Sequence, residues 1–225
     1  MTCIQKPAFD LSLYLVTDRD LSLGRSLVTI VDEAIKGGVT MVQLREKACS
    51  TDEFIALAKQ VKQLLIGTNI PLIINDNIEV ALAVAAEGLH IGQGDIPYPE
   101  ARKIMGPKAI IGLSVENDQH AKEANSWDVD YIGISPVFLT STKIDTAPAL
   151  GLDGIANIKK LCSHPAVAIG GINMQNIASV ISAGADGVAV VSAICSSTNP
   201  KEAALQLFNE VLTAKQKRHA TSCAG

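Results

Sequence analysis

The stretch Gly37-Gly38-Val39-Thr40-Met41-Val42-Gln43-Leu44-Arg45-Glu46-Lys47 contains the repeating unit of the chain. Before it, Leu27, Ile30, Val31, Ala34 and Ile35 recur at threes and fours, the spacing of one helical face. The glycine pair stops that helix and turns the chain. Val39–Arg45 is then nearly continuous in apolar and β-branched residues, which is how a strand covered on both faces reads. It ends abruptly in charge.

The same unit recurs along the sequence. Apolar runs occupy Leu13–Asp18, Val39–Arg45, Pro71–Asp76, Gly88–Gln93, Ala109–Ser114, Asp130–Phe138, Ala166–Gly171 and Gly187–Ala193. Helical spacing lies between them, as in Phe54, Ile55, Ala58, Val61, Leu64 and Leu65, and after them in Leu205, Leu207, Phe208, Val211 and Leu212. Ser50-Thr51-Asp52-Glu53, and Asn173 ahead of Ile177, read as helix starts. Strands alternating with helices imply right-handed crossovers and a parallel sheet. Eight such units predict an α/β chain folded as a single (β/α)8 barrel, one domain with its core at about residues 13–212. The alternative is an open doubly wound sheet, but no G-x-G-x-x-G opens the first helix. Lys215–Gly225 has no apolar period and is expected to be a flexible tail.

Composition narrows the function. At 48% hydrophobic, the 225 residues have enough apolar surface to exclude intrinsic disorder. A net charge of −4 with 4% aromatics argues against nucleic acid, which needs a basic face or stacking rings. Met1–Asp10 lacks the apolar core of a signal peptide, and Val80–Ala86 is far short of the roughly 20 residues a membrane span needs. Five scattered cysteines (Cys3, Cys49, Cys162, Cys195, Cys223) without C-x-x-C read as reduced thiols. A cytoplasmic protein with no membrane partner is expected. The sequence leaves the oligomeric state open, a homo-oligomer included.

In a barrel, residues at the carboxyl ends of the strands face the site. Alternation puts Gln43, Arg45 and Lys47 on one side of the second strand and Leu44 and Glu46 on the other. Two cations and an amide on one face suit an anionic ligand; a solvated strand end is the competing reading. Asp76 and Asp95 follow neighbouring strands and could share a Mg²⁺ ion, or could cap the next helices. Ser114 ends the fifth strand as a cap or a phosphate contact. Thr140-Ser141-Thr142-Lys143, after the sixth strand, has the composition of an anion cradle or of a surface loop. Gly170-Gly171 and Val191-Ser192 end the last two strands, where barrels commonly bind phosphate. His90 reads as packed inside the barrel. There is no G-x-S-x-G, no H-E-x-x-H and no P-loop motif.

The order of these pieces resembles the thiamine-phosphate synthase family over roughly Leu13 to Leu212. The resemblance rests on Tyr14-Leu15-Val16-Thr17-Asp18, Val42–Lys47, Ile74-Asn75-Asp76, His90–Asp95, Pro136-Val137-Phe138, Thr140–Lys143, Gly151-Leu152, Gly170-Gly171-Ile172 and Gly184–Val188. It implies a transferase that joins 4-amino-2-methyl-5-(diphosphooxymethyl)pyrimidine to a thiazole phosphate, plain or carboxylated, releasing diphosphate. It implies Mg²⁺ at Asp76 and Asp95. By the same resemblance Gln43, Arg45, Lys47, Asn75, Ser114 and Lys143 belong to the pyrimidine diphosphate site. Thr140, Thr142, Gly171, Val191 and Ser192 belong to the thiazole phosphate side, Glu46 and Ser141 are further substrate-binding candidates, and Arg45, Lys47, Ser114 and Lys143 would carry catalysis. The implied reaction is dissociative and needs no protein nucleophile. Asn77, Ser135 and Val115-Glu116 depart from the family pattern. The competing functions are a thiazole tautomerase or regulatory relative, a non-catalytic phosphate-binding barrel, and a phosphosugar isomerase.

Overall fold

The computed structural model describes residues 6–140 and 147–222. Eight parallel strands close on themselves in sequence order: β1 (Leu13–Val16), β2 (Met41–Leu44), β3 (Leu72–Asn75), β4 (Gly88–Ile91), β5 (Ile110–Val115), β6 (Tyr131–Ile134), β7 (Ala166–Ile169) and β8 (Gly187–Val190). Closure is made by β1, which pairs with β2 on one edge and β8 on the other. The helices are α1 (Leu27–Lys36), α2 (Thr51–Leu65), α3 (Ile78–Ala83), α4 (Tyr98–Met105), α5 (Asp118–Asn125), α6 (Gly151–Leu161), α7 (Ile177–Ser182), α8 (Ser192–Cys195) and α9 (Pro200–Ser222). This is the expected (β/α)8 barrel. Among the described residues no helix is long and apolar enough to cross a membrane.

The strands are covered on both faces, as their composition requires. One apolar cluster fills the space between strands and helices and includes Leu13, Leu15, Val42, Leu44, Leu72 and Ile74. A second fills the barrel itself with Tyr14, Val16, Met41, Ile73, Ile110, Tyr131, Val167 and Ala189. Alternation therefore sorts each strand into an outer and an inner set.

The rim at the strands' amino ends is tied by a repeated device. The side chain just before each even-numbered strand takes an amide of the odd-numbered strand before it. Thr40 Oγ1 accepts from Leu13 N at 3.0 Å, Glu87 Oε2 from Leu72 N at 2.9 Å, Asp130 Oδ2 from Ile111 N at 2.8 Å, and Asp186 Oδ2 from Ala166 N at 2.9 Å. The three acids are each paired with basic side chains: Glu87 with Lys62, Asp130 with Arg102 and Lys6, Asp186 with Lys159 and Arg218. Each bracket satisfies a backbone donor that would otherwise be buried unpaired.

Helix ends follow the local chemistry. Ser50 and Glu53 form a reciprocal capping box on α2. Gly37 ends α1, and Gly38, at φ 98°, takes the left-handed turn into β2. Three expectations need correction. The sixth strand stops at Ile134, because Pro136 carries no N–H for the ladder. Asn173 lies three residues ahead of the α7 cap position, Asn176. The tail is not free through residue 222: α9 continues to Ser222. Its last turns are held by polar contacts. Lys215 Nζ donates to Ser12 Oγ at 2.7 Å, and Arg218 Nη1 donates to the carbonyls of Ile181 and Ala185 at 3.0 and 2.7 Å.

The brackets differ in burial, and this ranks them. Asp130 is 6% exposed in its side chain and Asp186 is 37% exposed. Asp130→Ala removes the buried carboxylate shared by Arg102 and Lys6 and leaves the Ile111 amide without its acceptor, and is expected to cost about 3 kcal/mol in urea unfolding. Asp186→Ala is expected to cost less than half of that.

Candidate active site

The carboxyl rim opens into a solvent-connected cavity of about 140 Å³. It is lined by Tyr14, Gln43, Arg45, Asn75, His90 and Ser114 from β1–β5, and by Thr140, Gly170-Gly171-Ile172 and Val191-Ser192 from the last units. Eight of the residues singled out from sequence thus meet in one place: Gln43, Arg45, Asn75, Ser114, Thr140, Gly171, Val191 and Ser192. Their meeting follows from the inner set of each strand. Register places Val16 beside Gln43, Asn75 beside His90, and Ser114 beside Gly133.

The basic corner is built on β2. Thr17 Oγ1 receives the Arg45 amide at 3.0 Å and fixes the strand end. The Arg45 guanidinium donates to Asp18 Oδ2 at 2.8 Å. Lys47 pairs with Asp76 at the rim, beside but outside the cavity lining. Asp18 and His90 line the cavity although sequence reasoning assigned neither to the site. Asp18 had one available signal, its place beyond the first strand end.

Glu46 differs from its expected role. Its side chain is 2% exposed and turns away from the cavity, as strand alternation dictates. Oε2 takes Arg19 Nε at 2.6 Å, and Oε1 takes the Lys47 and Ala48 amides at 3.0 and 3.2 Å. Burial alone pushes this carboxyl up. Arg19 and the two amides outweigh burial and hold it below its ordinary value. Glu46 therefore folds the loop that carries Lys47 and does not line the cavity.

The two aspartates are freed from capping. Asn77 Oδ1 accepts from Val80 N at 3.0 Å and caps α3, so Asp76 is not needed there. Asp76 adopts a left-handed φ of 50° and accepts Asn75 Nδ2 at 2.7 Å. Asp95 folds back onto Gly92 N at 2.6 Å, and α4 starts without a side-chain cap. Two carboxylates with hard oxygen donors thus sit after adjacent strands. No cluster of three or more potential metal-ligating side chains occurs among the described residues.

The opposite wall is nearly bare backbone. Gly171, at φ 65°, would place a Cβ 2.9 Å from Leu139 O and from Phe138 Cβ, so only glycine fits. Asn176 Nδ2 and Asn173 Nδ2 both donate to the Gly171 carbonyl, at 2.9 and 3.3 Å, and fix this turn. Val191-Ser192 opens the short α8, whose first amides have no acceptor within the helix. Ser141, Thr142 and Lys143 lie outside the described residues.

A closed barrel with a basic corner and a glycine-lined wall on its carboxyl rim defines a phosphate-handling barrel enzyme. The thiamine monophosphate synthase family profile matches residues 13–194. The thiamine-phosphate synthase of Albidiferax ferrireducens is 49% identical over 197 residues, covering 88% of this chain and 90% of that protein. That of Syntrophomonas wolfei is 49% identical over 190 residues, covering 84% and 91%. The solved thiamine phosphate pyrophosphorylase of Pyrococcus furiosus superposes with a TM-score of 0.83 at 36% identity, covering 91% of this chain and 96% of that one. The chain belongs to the thiamine monophosphate synthase family.

The Glu46 carboxyl is held below its ordinary 4.5, so its contribution to stability is present above that pH and is lost as pH falls through the depressed value. Glu46→Gln is expected to cost about 1–2 kcal/mol at pH 7 in urea unfolding. The gap to the parent chain should narrow progressively below pH 4.5.

Proposed function

We propose that this chain catalyses the transfer step of thiamine phosphate formation, as a single barrel domain in the cytoplasm. The substrates are the pyrimidine diphosphate and a thiazole phosphate, plain or carboxylated, and the carboxylated form also releases CO₂. The observation that supports this reading best is the division of one cavity into two walls. Arg45, Asn75 and Ser114 suit a diphosphate on one side, and Gly171 and Ser192 suit a monophosphate on the other.

In this reading the CH₂–O bond of the pyrimidine breaks and its electron pair leaves with the diphosphate. The thiazole nitrogen then donates its lone pair to the pyrimidine methylene carbon. Charge on the departing diphosphate is met by the Arg45 guanidinium and the Lys47 ammonium, with Lys143 joining them from the sequence. Fixed charge aimed at developing charge is commonly the largest catalytic contribution. Gly171 and Ser192 hold the second substrate by its phosphate, so the attack is made within one complex. No side chain has to act as a nucleophile.

The chemistry of Asp76 and Asp95 fits a Mg²⁺ ion, which takes one or two carboxylates and fills its remaining positions with phosphate and water. When bound, the ion supplies charge neutralisation of the diphosphate. Ion pairing with Lys47 compensates the Asp76 charge. Glu46 acts through position by folding the Lys47 loop, whereas Asn75 faces the cavity and also donates to Asp76.

The decisive assay mixes both substrates with the protein and identifies the product by mass. Thiamine phosphate is expected only with Mg²⁺ present, and its absence under all conditions would overturn the assignment. Arg45→Ala is expected to lower kcat by about 100-fold. Asp95→Ala should require far more Mg²⁺ for half-maximal rate; an unchanged Mg²⁺ titration would remove Asp95 from the metal site.

A further inference from the structure

Five side chains form a continuous hydrogen-bonded chain through the inside of the barrel. Gln43 Nε2 donates to Tyr14 Oη at 2.9 Å, and Tyr14 Oη lies 2.8 Å from Tyr131 Oη. Tyr131 Oη lies 2.9 Å from His90 Nδ1, and His90 Nε2 lies 3.0 Å from Ser114 Oγ. Gln43 and Ser114, the two ends, stand on the cavity wall, whereas Tyr131 does not line it.

The surrounding backbone is shaped for this chain. A Cβ at Gly112 would lie 2.1 Å from the Tyr131 ring and 2.6 Å from His90 Nδ1. A Cβ at Gly133 would lie 3.2 Å from His90 Cε1. Two adjacent strands thus leave out side chains where the Tyr131–His90 pair sits. Burial also pushes the Tyr14 and Tyr131 phenols well up, so both keep their protons at any working pH.

Counting protons gives the chain a direction. Each phenol has one proton to donate. Gln43 N–H is spent on Tyr14, and the order that gives both phenol protons an acceptor within the chain runs Tyr14 to Tyr131 and Tyr131 to His90 Nδ1; the reverse order leaves the Tyr14 proton with no acceptor in the chain. A neutral imidazole that accepts at Nδ1 carries its proton on Nε2 and donates it to Ser114 Oγ. The Ser114 hydroxyl proton is then left for an acceptor in the cavity, and the Gln43 carbonyl oxygen for a donor.

We propose that Tyr14, Tyr131 and His90 are positioning residues that set the hydrogen-bond polarity of the cavity, making Gln43 an acceptor and Ser114 a donor toward the ligand. In chemical class, this selects a ligand with an N–H group at the β2 side and a phosphate or ester oxygen at the β5 side. The identity of that ligand as the pyrimidine diphosphate rests on the function proposed above.

The test is a long-range ¹H–¹⁵N correlation spectrum of the imidazole nitrogens in the whole chain. The chain has four histidines, and His90→Gln assigns the His90 signal by difference. The expected result is one neutral tautomer with the proton on Nε2. A proton on Nδ1, or an averaged pair of tautomers, would overturn the proposal without any bearing on the activity. Tyr131→Phe removes the donor to Nδ1 and should mix the tautomers. It should also lower kcat/KM for the pyrimidine diphosphate about tenfold, one neutral hydrogen bond, with KM for the thiazole phosphate unmoved. His90→Gln, which can still donate to Ser114, should retain more activity than His90→Leu. Equal losses in these two variants would count against the chain. Should Tyr131→Phe fail to fold, the tautomer in the parent protein decides alone.

Discussion

Everything in this molecule depends on one backbone pairing, that of β1 with β8. It turns a row of parallel strands into a ring, and so sends every strand's carboxyl end to one rim. The two rims then do different work. At the amino rim, Thr40, Glu87, Asp130 and Asp186 tie the strands in pairs and answer to stability. At the carboxyl rim the inner residues of successive strands meet over one cavity, and small shifts in register would scatter them.

A net charge of −4 over the whole chain is compatible with a locally basic corner at the cavity. The cations at and around its β2 corner are few, and each is paired with a carboxylate. Arg45 lies against Asp18, Lys47 against Asp76, and Arg19 against the buried Glu46. Pairing lowers the cost of holding charge away from water. The local field belongs to one corner of the barrel, not to the surface as a whole.

Much of this was legible in the sequence. Continuous apolar runs ending in polar residues gave both the strands and the side of the barrel that carries chemistry. The parity of β2 already set Glu46 apart from Gln43, Arg45 and Lys47, which agrees with its withdrawal from the cavity. The tail was not legible, because α9 beyond Lys215 is anchored by Lys215 and Arg218 through polar bonds that leave no apolar period. The choice between capping and ligand roles for Asp76 depended on Asn77, whose capping bond is a matter of one turn's geometry. The Tyr14–Tyr131–His90 chain was hidden for another reason. Each member reads as an ordinary packed residue, and only barrel closure brings residues so far apart in sequence within hydrogen-bond distance.

The central claim is that one cavity holds a diphosphate on its β2–β5 wall and a monophosphate on its β7–β8 wall. The most direct measurement is a crystal structure of the protein with thiamine phosphate, diphosphate and Mg²⁺. The account predicts the ester phosphate on the Gly171 and Ser192 amides and the diphosphate against Arg45 and Asn75, with the metal at Asp76 and Asp95. Either phosphate group bound outside the carboxyl rim, or the two exchanged between walls, would contradict it.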